Sequence, residues 1–179
     1  MSVTKANVQD VPVLNKLINS AYRGAESKKG WTTEAEILGG LRIDEDALKS
    51  YFSKGNSCIL KYTDKNGIIS GTVYLELNEP ELYLGMFAVS PMVQGKGIGK
   101  LLLAEAEVLA LKNSCDRIAI TVISSRTELI EWYERNGYIS TGTSIAFEEI
   151  SGRFGEPKQT DIRLIAMEKR LNPKAFEEK

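Results

Sequence analysis

Residues 89–100, Val-Ser-Pro-Met-Val-Gln-Gly-Lys-Gly-Ile-Gly-Lys, place three alternating glycines between an apolar run and a segment of helical periodicity. No other stretch constrains the fold as much. A strand must run into a helix through a loop whose backbone curls without Cβ clashes. The first amides of that helix have no intrahelical partner and lie at the positive end of its dipole, so the loop faces an anion, and a diphosphate is the natural guest. Lys96 and Lys100 add charge of the right sign. Two nucleotide motifs can be tested on the same residues. A Walker A loop requires glycine at 94 and Ser or Thr at 101, where the chain has Gln94 and Leu101. The dinucleotide fingerprint requires glycine at 100, where it has Lys100, and a hairpin is the wrong element to precede it. Both fail. A glycine turn without a ligand is the bland reading, and the strand before it and the helix after it weigh against that.

Hydrophobic spacing divides the rest of the chain. Asp10 predicts an N-cap, with Pro12 in the first turn and Leu14, Leu17, Ile18 and Ala21 at helical spacing. Gly24 to Gly30 reads as a polar loop. Thr33 and Glu36 have capping-box spacing and predict a short second helix that stops at Gly39-Gly40. Asp44 predicts the cap of another helix, through about Ser53. Strands are expected over 58–63 and 68–77, joined by Asp64-Lys65-Asn66-Gly67, where Asn-Gly favours a tight hairpin. Leu82 to Val89 is almost wholly apolar and reads as a central strand. The helix after the glycine loop is expected to bury Ile98, Leu101, Ala104, Val108 and Leu111, with Glu105 near the edge of that stripe. A strand over 117–123 follows. Ser125 and Glu128 predict a capped helix to Asn136, closed by Gly137, and strands over 138–143 and 162–169 complete the chain. This order predicts an α/β (α+β) fold with a mixed sheet covered by helices, in one domain over residues 1–179.

Composition narrows the chemistry. The 179 residues include no histidine, which removes Ser-His-Asp and Cys-His schemes and the commonest zinc sites. Two cysteines, Cys58 and Cys115, are too few for a disulfide framework or a metal cluster, so no metal is expected. A formal charge of -1 with interspersed signs gives no broad basic footprint, and no nucleic-acid partner is expected. No apolar run approaches the roughly 18 residues of a membrane span. The first ten residues lack a signal pattern, so the expected location is cytoplasmic.

The pattern Val89-x-Pro91-x-x-Gln94-Gly95-x-Gly97-Ile98-Gly99 resembles the acetyl-CoA-binding motif of the GNAT superfamily of N-acetyltransferases. A second signature of that superfamily, a helix with a tyrosine shortly before Gly-Phe or Gly-Tyr, resembles Trp132-Tyr133-Glu134-Arg135-Asn136-Gly137-Tyr138. The strongest match covers Leu82 to Tyr138. The resemblance implies a GNAT-like acyl-CoA N-acyltransferase fold and a soluble enzyme that moves acetyl from acetyl-CoA to a primary amine, directly and in a ternary complex. It places the diphosphate on Gln94, Gly95, Lys96, Gly97, Ile98, Gly99 and Lys100. It places the pantetheine arm against the backbone of Phe87, Ala88 and Val89, where a bulge splays the strand from its neighbour. Family members are often monomers or dimers, so the resemblance implies a monomer or homodimer acting on a small-molecule or peptide amine.

Tyr133 is the expected catalytic residue, because a phenol with a reference pKa of about 10 suits protonation of a departing CoA thiolate. The position alone admits an amphipathic core tyrosine equally well. Trp132 reads as packing. Arg126 lies two helical turns earlier, on the same face as Tyr133. Family members commonly carry asparagine there against the pantetheine arm, so Arg126 is assigned to the cofactor side, with a phosphate, the acceptor or an acidic neighbour as alternatives. The strand position where several members carry a basic glutamate is Thr121 here. Glu34, Glu36, Glu76 and Glu81 are the candidate bases that remain. The first two helices and the last hairpin shape the acceptor pocket in this superfamily, which marks Tyr22, Trp31 and Glu34. An aromatic with carboxylates would suit a cationic amine. The loop from Ser144 to Asp161, with Arg153, Phe154 and Pro157, is a candidate lid. The Gly-Trp-Thr-Thr-Glu segment resembles a subgroup of bacterial and fungal members and fixes no acceptor. The alternative reading is a non-catalytic acyl-CoA-binding or regulatory module.

Overall fold

A computed structural model describes residues 1–152 and 154–172; Arg153 of the candidate lid lies outside the described residues. The strands are β1 (Ser2–Lys5), β2 (Leu38–Gly39), β3 (Ser57–Thr63), β4 (Ile69–Asn78), β5 (Glu81–Val89), β6 (Arg117–Ile123), β7 (Ile139–Ala146), β8 (Glu156–Pro157) and β9 (Arg163–Arg170). The α-helices are α1 (Val11–Tyr22), α2 (Gly24–Ser27), α3 (Glu45–Tyr51), α4 (Ile98–Lys112) and α5 (Thr127–Arg135). Seven strands form one sheet in the order β1-β3-β4-β5-β6-β9-β7, and β2 pairs separately with β8. Among the described residues, every strand pairing is antiparallel except β5 with β6. The expected mixed sheet covered by helices is the observed one.

Two apolar layers close the sheet. On one face α1 buries Val11, Leu14, Ile18 and Ala21 with Leu48 of α3 and Ile59 and Tyr74 of the sheet. On the other, α4 lies over β3 to β6, with Tyr133 and Tyr138 in the same layer. Each large aliphatic side chain so buried contributes roughly 1.5–3 kcal/mol. Asp44 caps α3 as expected, its Oδ1 accepting the Ala47 amide at 2.7 Å. Gly137 stands just past α5 with φ 91°, also as expected.

Four local expectations are corrected. The buried face of α4 is Ile98, Leu102, Leu103, Ala106 and Ala110, while Leu101 is 52% exposed. This helix is apolar nearly all round, so its period does not select a face. The sheet selects it: a Cβ on Gly71 would sit 2.8 Å from Ile98 and 3.0 Å from Leu102, so α4 is seated over that glycine. The helix expected after Thr33 is a single turn, with the amides of Ile37 and Leu38 donating to the Glu34 carbonyl before Leu38–Gly39 pairs with β8. A short helix, α2, occupies the segment read as a polar loop. Neither Asp10 nor Ser125 caps through its side chain. Asp10 accepts from the Asn7 amide at 2.9 Å and pairs with Lys61 at 2.7 Å, and α5 begins at Thr127 with Arg126 in the cap position.

The sheet is opened in one place. β5 and β6 pair only from Glu81–Arg117 to Tyr83–Ala119. Beyond that Met86 takes φ 44°, and the register with β4 slips between Thr72 and Tyr74. The extra residue reverses the pleat. Leu82 and Leu84 face the α4 layer, whereas Met86 and Ala88 face the α1 layer, which turns Phe87 and Val89 toward α4.

Candidate active site

A cavity of about 590 Å³ lies between the end of β5, the start of α4 and α5. The glycine loop forms its rim. Gly95 and Gly97 have φ of 80° and 82°, a left-handed backbone that strains residues with a Cβ. A Cβ at either would meet nothing within 4 Å, so the requirement is for backbone shape and for space in front of it. Gly99 is different. Its Cβ would lie 3.4–3.5 Å from Trp132 and Phe87, so the first turn of α4 is seated directly on those rings. Lys100 lines the cavity, whereas Lys96 is exposed outside its wall. The strand, loop and 15-residue helix thus supply an anion cradle that a diphosphate fits.

The remaining assigned residues divide. Phe87 and Val89 line the cavity, and Ala88 points to the α1 layer. The Phe87 carbonyl accepts the Tyr22 hydroxyl at 2.8 Å, so Tyr22 bonds to the bulged strand and offers its ring to the cavity. Gln94 spans the loop. Its Oε1 accepts the Trp31 amide at 2.9 Å, and its Nε2 donates to Thr32 Oγ1 at 2.8 Å and to the Val89 carbonyl at 3.1 Å. Gly30 makes room for it, since a Cβ there would come within 2.5 Å of the Gln94 oxygen.

Arg126 meets an acidic neighbour. Its Nη1 lies 3.1 Å from Glu34 Oε1, and its Nη2 donates to the Thr32 carbonyl. The other Glu34 oxygen takes Arg23 at 3.2 Å, and Arg23 also donates to the Gly39 carbonyl at 2.9 Å. The side chains of Arg23, Glu34 and Arg126 are 4%, 8% and 8% exposed. Burial draws the Arg23 pKa down against the favourable charge of Glu34. Segment 31–34 is therefore held by the glycine loop on one side and by the start of α5 on the other.

A second chamber of about 240 Å³ lies beyond the first. The two share Tyr22, Phe87, Arg126, Leu129 and Tyr133. Tyr133 is 5% exposed and lines both chambers, while the buried hydroxyl without a hydrogen-bond partner among the described residues is that of Tyr138 behind it. Burial holds its pKa well above 10, with the charge of Arg126 opposing. Burial likewise lifts Tyr22 to about 12, against Arg42. Phe87, Trp132 and Tyr138 pack on the Tyr133 ring at centroid distances of 6.5, 5.1 and 5.3 Å. Trp132 packs as expected and also walls the larger cavity, with Trp31 at 6.3 Å. Sequence reasoning missed Arg23 and Arg42. The charge of an arginine in a loop says nothing of its tertiary neighbours, and only the adjacency of Arg23 to Tyr22 pointed here.

Of the four candidate bases, Glu34 alone lines either cavity, and both its oxygens are engaged. Glu36 is paired with Lys28 in solvent, Glu76 with Tyr74 and Lys54, and Glu81 with Arg117. Thr121 lies in the second chamber and has no carboxylate to offer. Phe154 of the candidate lid also lines that chamber, whereas Pro157 pairs with Leu38 outside it.

A splayed parallel pair, a glycine-loop cradle and a buried tyrosine at the meeting point of two chambers define an acyl-CoA-dependent acyltransferase architecture. Residues 28–152 match the family described as Acetyltransferase (GNAT) domain, well over half of the chain. Among curated proteins, none matches. Among solved structures, the fold is similar to a ribosomal-protein-alanine N-acetyltransferase from Brucella melitensis, at 18% identity and a TM-score of 0.70, covering 96% of this chain and 100% of that one. An acetyltransferase from Salmonella typhimurium, crystallised with acetyl-CoA, is similar at 17% identity and a TM-score of 0.69, over 96% and 94%. A spermidine N-acetyltransferase chimera from Vibrio cholerae is similar at 14% identity and a TM-score of 0.69, over 99% and 98%. The chain belongs to the GNAT acetyltransferase family. It is an acetyl-CoA-dependent N-acetyltransferase.

Proposed function

We propose that the protein transfers acetyl directly from acetyl-CoA to a primary amine held in the second chamber, with Tyr133 as the acid. The observation that carries this reading is the pair of chambers meeting at Tyr133, in the opening between β5 and β6. The glycine-loop amides and Lys100 hold the diphosphate, and the strand end at Phe87 and Val89 borders the thioester arm. The amine nitrogen bonds to the thioester carbonyl carbon, the carbon–sulfur bond breaks, and the sulfur takes the proton of the Tyr133 hydroxyl. Burial that keeps this phenol protonated suits an acid rather than a base. Water takes one proton from the acceptor ammonium before attack and relays the second, lost by the nitrogen as the amide forms, back to the Tyr133 phenolate, because Glu34 is committed to two guanidinium groups. No acyl-enzyme is required, and Cys115 is buried with its thiol pKa raised by that burial, a poor acyl carrier.

The test is acetyl-CoA-dependent thiol release with a panel of amines, with the acetylated product identified by mass. Transfer to at least one amine is expected. Tight acetyl-CoA binding without any acetylated product would leave the non-catalytic acyl-CoA module as the correct reading.

A further inference from the structure

The second chamber carries the opposite charge to the one a polyamine-type acceptor would need. Three guanidinium groups, Arg23, Arg42 and Arg126, stand in its wall against Glu34. That carboxylate is consumed within the wall, shared between Arg23 and Arg126. Arg42 is left over. Its guanidinium lies over the Tyr22 ring at 5.3 Å from the centroid, and its side chain has no carboxylate or hydrogen-bond partner among the described residues. Tyr51 and Tyr83 line the same chamber, and their hydroxyls have no hydrogen-bond partner among the described residues. Hydroxyls both donate and accept, so Arg42 is what sets the polarity: an open, donor-only group that leaves the chamber's fixed charge positive.

Size and placement sharpen this. At about 240 Å³ the chamber falls below the roughly 300–1,000 Å³ of drug-sized sites, so it suits a metabolite-sized body. Tyr22 links the two groups that matter. Its ring carries Arg42, and its hydroxyl marks the Phe87 carbonyl at the meeting point of the chambers. A molecule lying along that ring puts one end at the site of attack and the other at Arg42.

Resting on the acetyl-transfer reading above, we propose that the acceptor is a small aminocarboxylate, whose amine meets the thioester while its carboxylate pairs with Arg42. A planar guanidinium takes a carboxylate through paired hydrogen bonds, which neither an amide nor a second ammonium reproduces. A diamine meets repulsion from the same groups.

The experiment compares three matched series as acceptors: the amino acids from glycine to 6-aminohexanoate, their primary amides, and the α,ω-diamines of equal length. Initial rates are read as thiol release, and binding of each probe to the protein saturated with CoA is read by calorimetry. The best aminocarboxylate is expected to exceed its amide and its diamine in kcat/KM by about tenfold or more. In Arg42→Gln that preference collapses, Arg42→Lys restores part of it, and acetyl-CoA affinity reports that both variants are folded. A diamine or amide used as well as the carboxylate, or a preference untouched in Arg42→Gln, overturns the proposal. If no amine is acetylated at all, the transfer reading fails while calorimetry still decides this one. Arg42-dependent binding of an aminocarboxylate supports it, and its absence contradicts it.

Discussion

Tyr133 and Glu34 are buried polar residues with opposite situations, and each sets its own expectation. The Tyr133 hydroxyl is kept neutral by burial and belongs to a side chain that lines both chambers, so on the proposed reading its proton is available where they meet. Because its pKa is raised above 10, the acid form persists through the alkaline range in which an acceptor amine, with a pKa near 10, loses its proton. The kcat/KM profile is therefore expected to rise from pH 7 to 9 and to show no alkaline fall by pH 10. A bell falling below pH 9 would assign the acid to another group. Glu34 is buried between two guanidinium groups, and removing it strands both charges. Glu34→Ala is expected to lower stability by about 3 kcal/mol, read from urea unfolding, because breaking a buried ion pair costs more than forming it returned. A loss under 1 kcal/mol would mean that water already solvates the triad.

At the scale of elements, the glycine loop works through backbone shape. Gly97→Ala imposes a Cβ at φ 82° with nothing to clash against, so about 1–2 kcal/mol of strain is expected without disruption of the core. The same substitution is expected to weaken acetyl-CoA binding several-fold in calorimetry, since the cradle must keep that backbone to aim its amides. Unchanged affinity would place the diphosphate elsewhere. This loop was legible in the sequence because strand, glycines and helix are contiguous. So were the limits of β6 and the Asp44 cap of α3, which depend on neighbours in the chain. The buried face of α4 was not legible. Its residues are apolar on several sides, and the choice was made by Gly71, 27 residues before Ile98. The failed helix after Thr33 has the same cause, since β8 lies far along the chain and captures Leu38 and Gly39. Arg126 could be placed on the Tyr133 face by spacing, but its partner Glu34 is 92 residues away and no local pattern records it.

For the molecule as a whole, the proposed roles make binding and catalysis separable. The cradle, the opened sheet and the tyrosine come from α4, from β5 and β6, and from α5, and they converge where β5 leaves β6. A ligand that binds only the folded state at 100 times its Kd adds about 2.7 kcal/mol to stability. Acetyl-CoA is expected to raise Tm accordingly, and ATP or NAD at the same concentration is expected to raise it less. An equal or larger shift with a nucleotide would return the loop to general nucleotide binding. The most direct test of the account is the comparison of wild type with Tyr133→Phe in kcat and in acetyl-CoA Kd across pH 7 to 10. A fall in kcat of about 100-fold, with Kd unchanged within twofold, is the predicted result. Equal turnover by the two proteins throughout that range would contradict it.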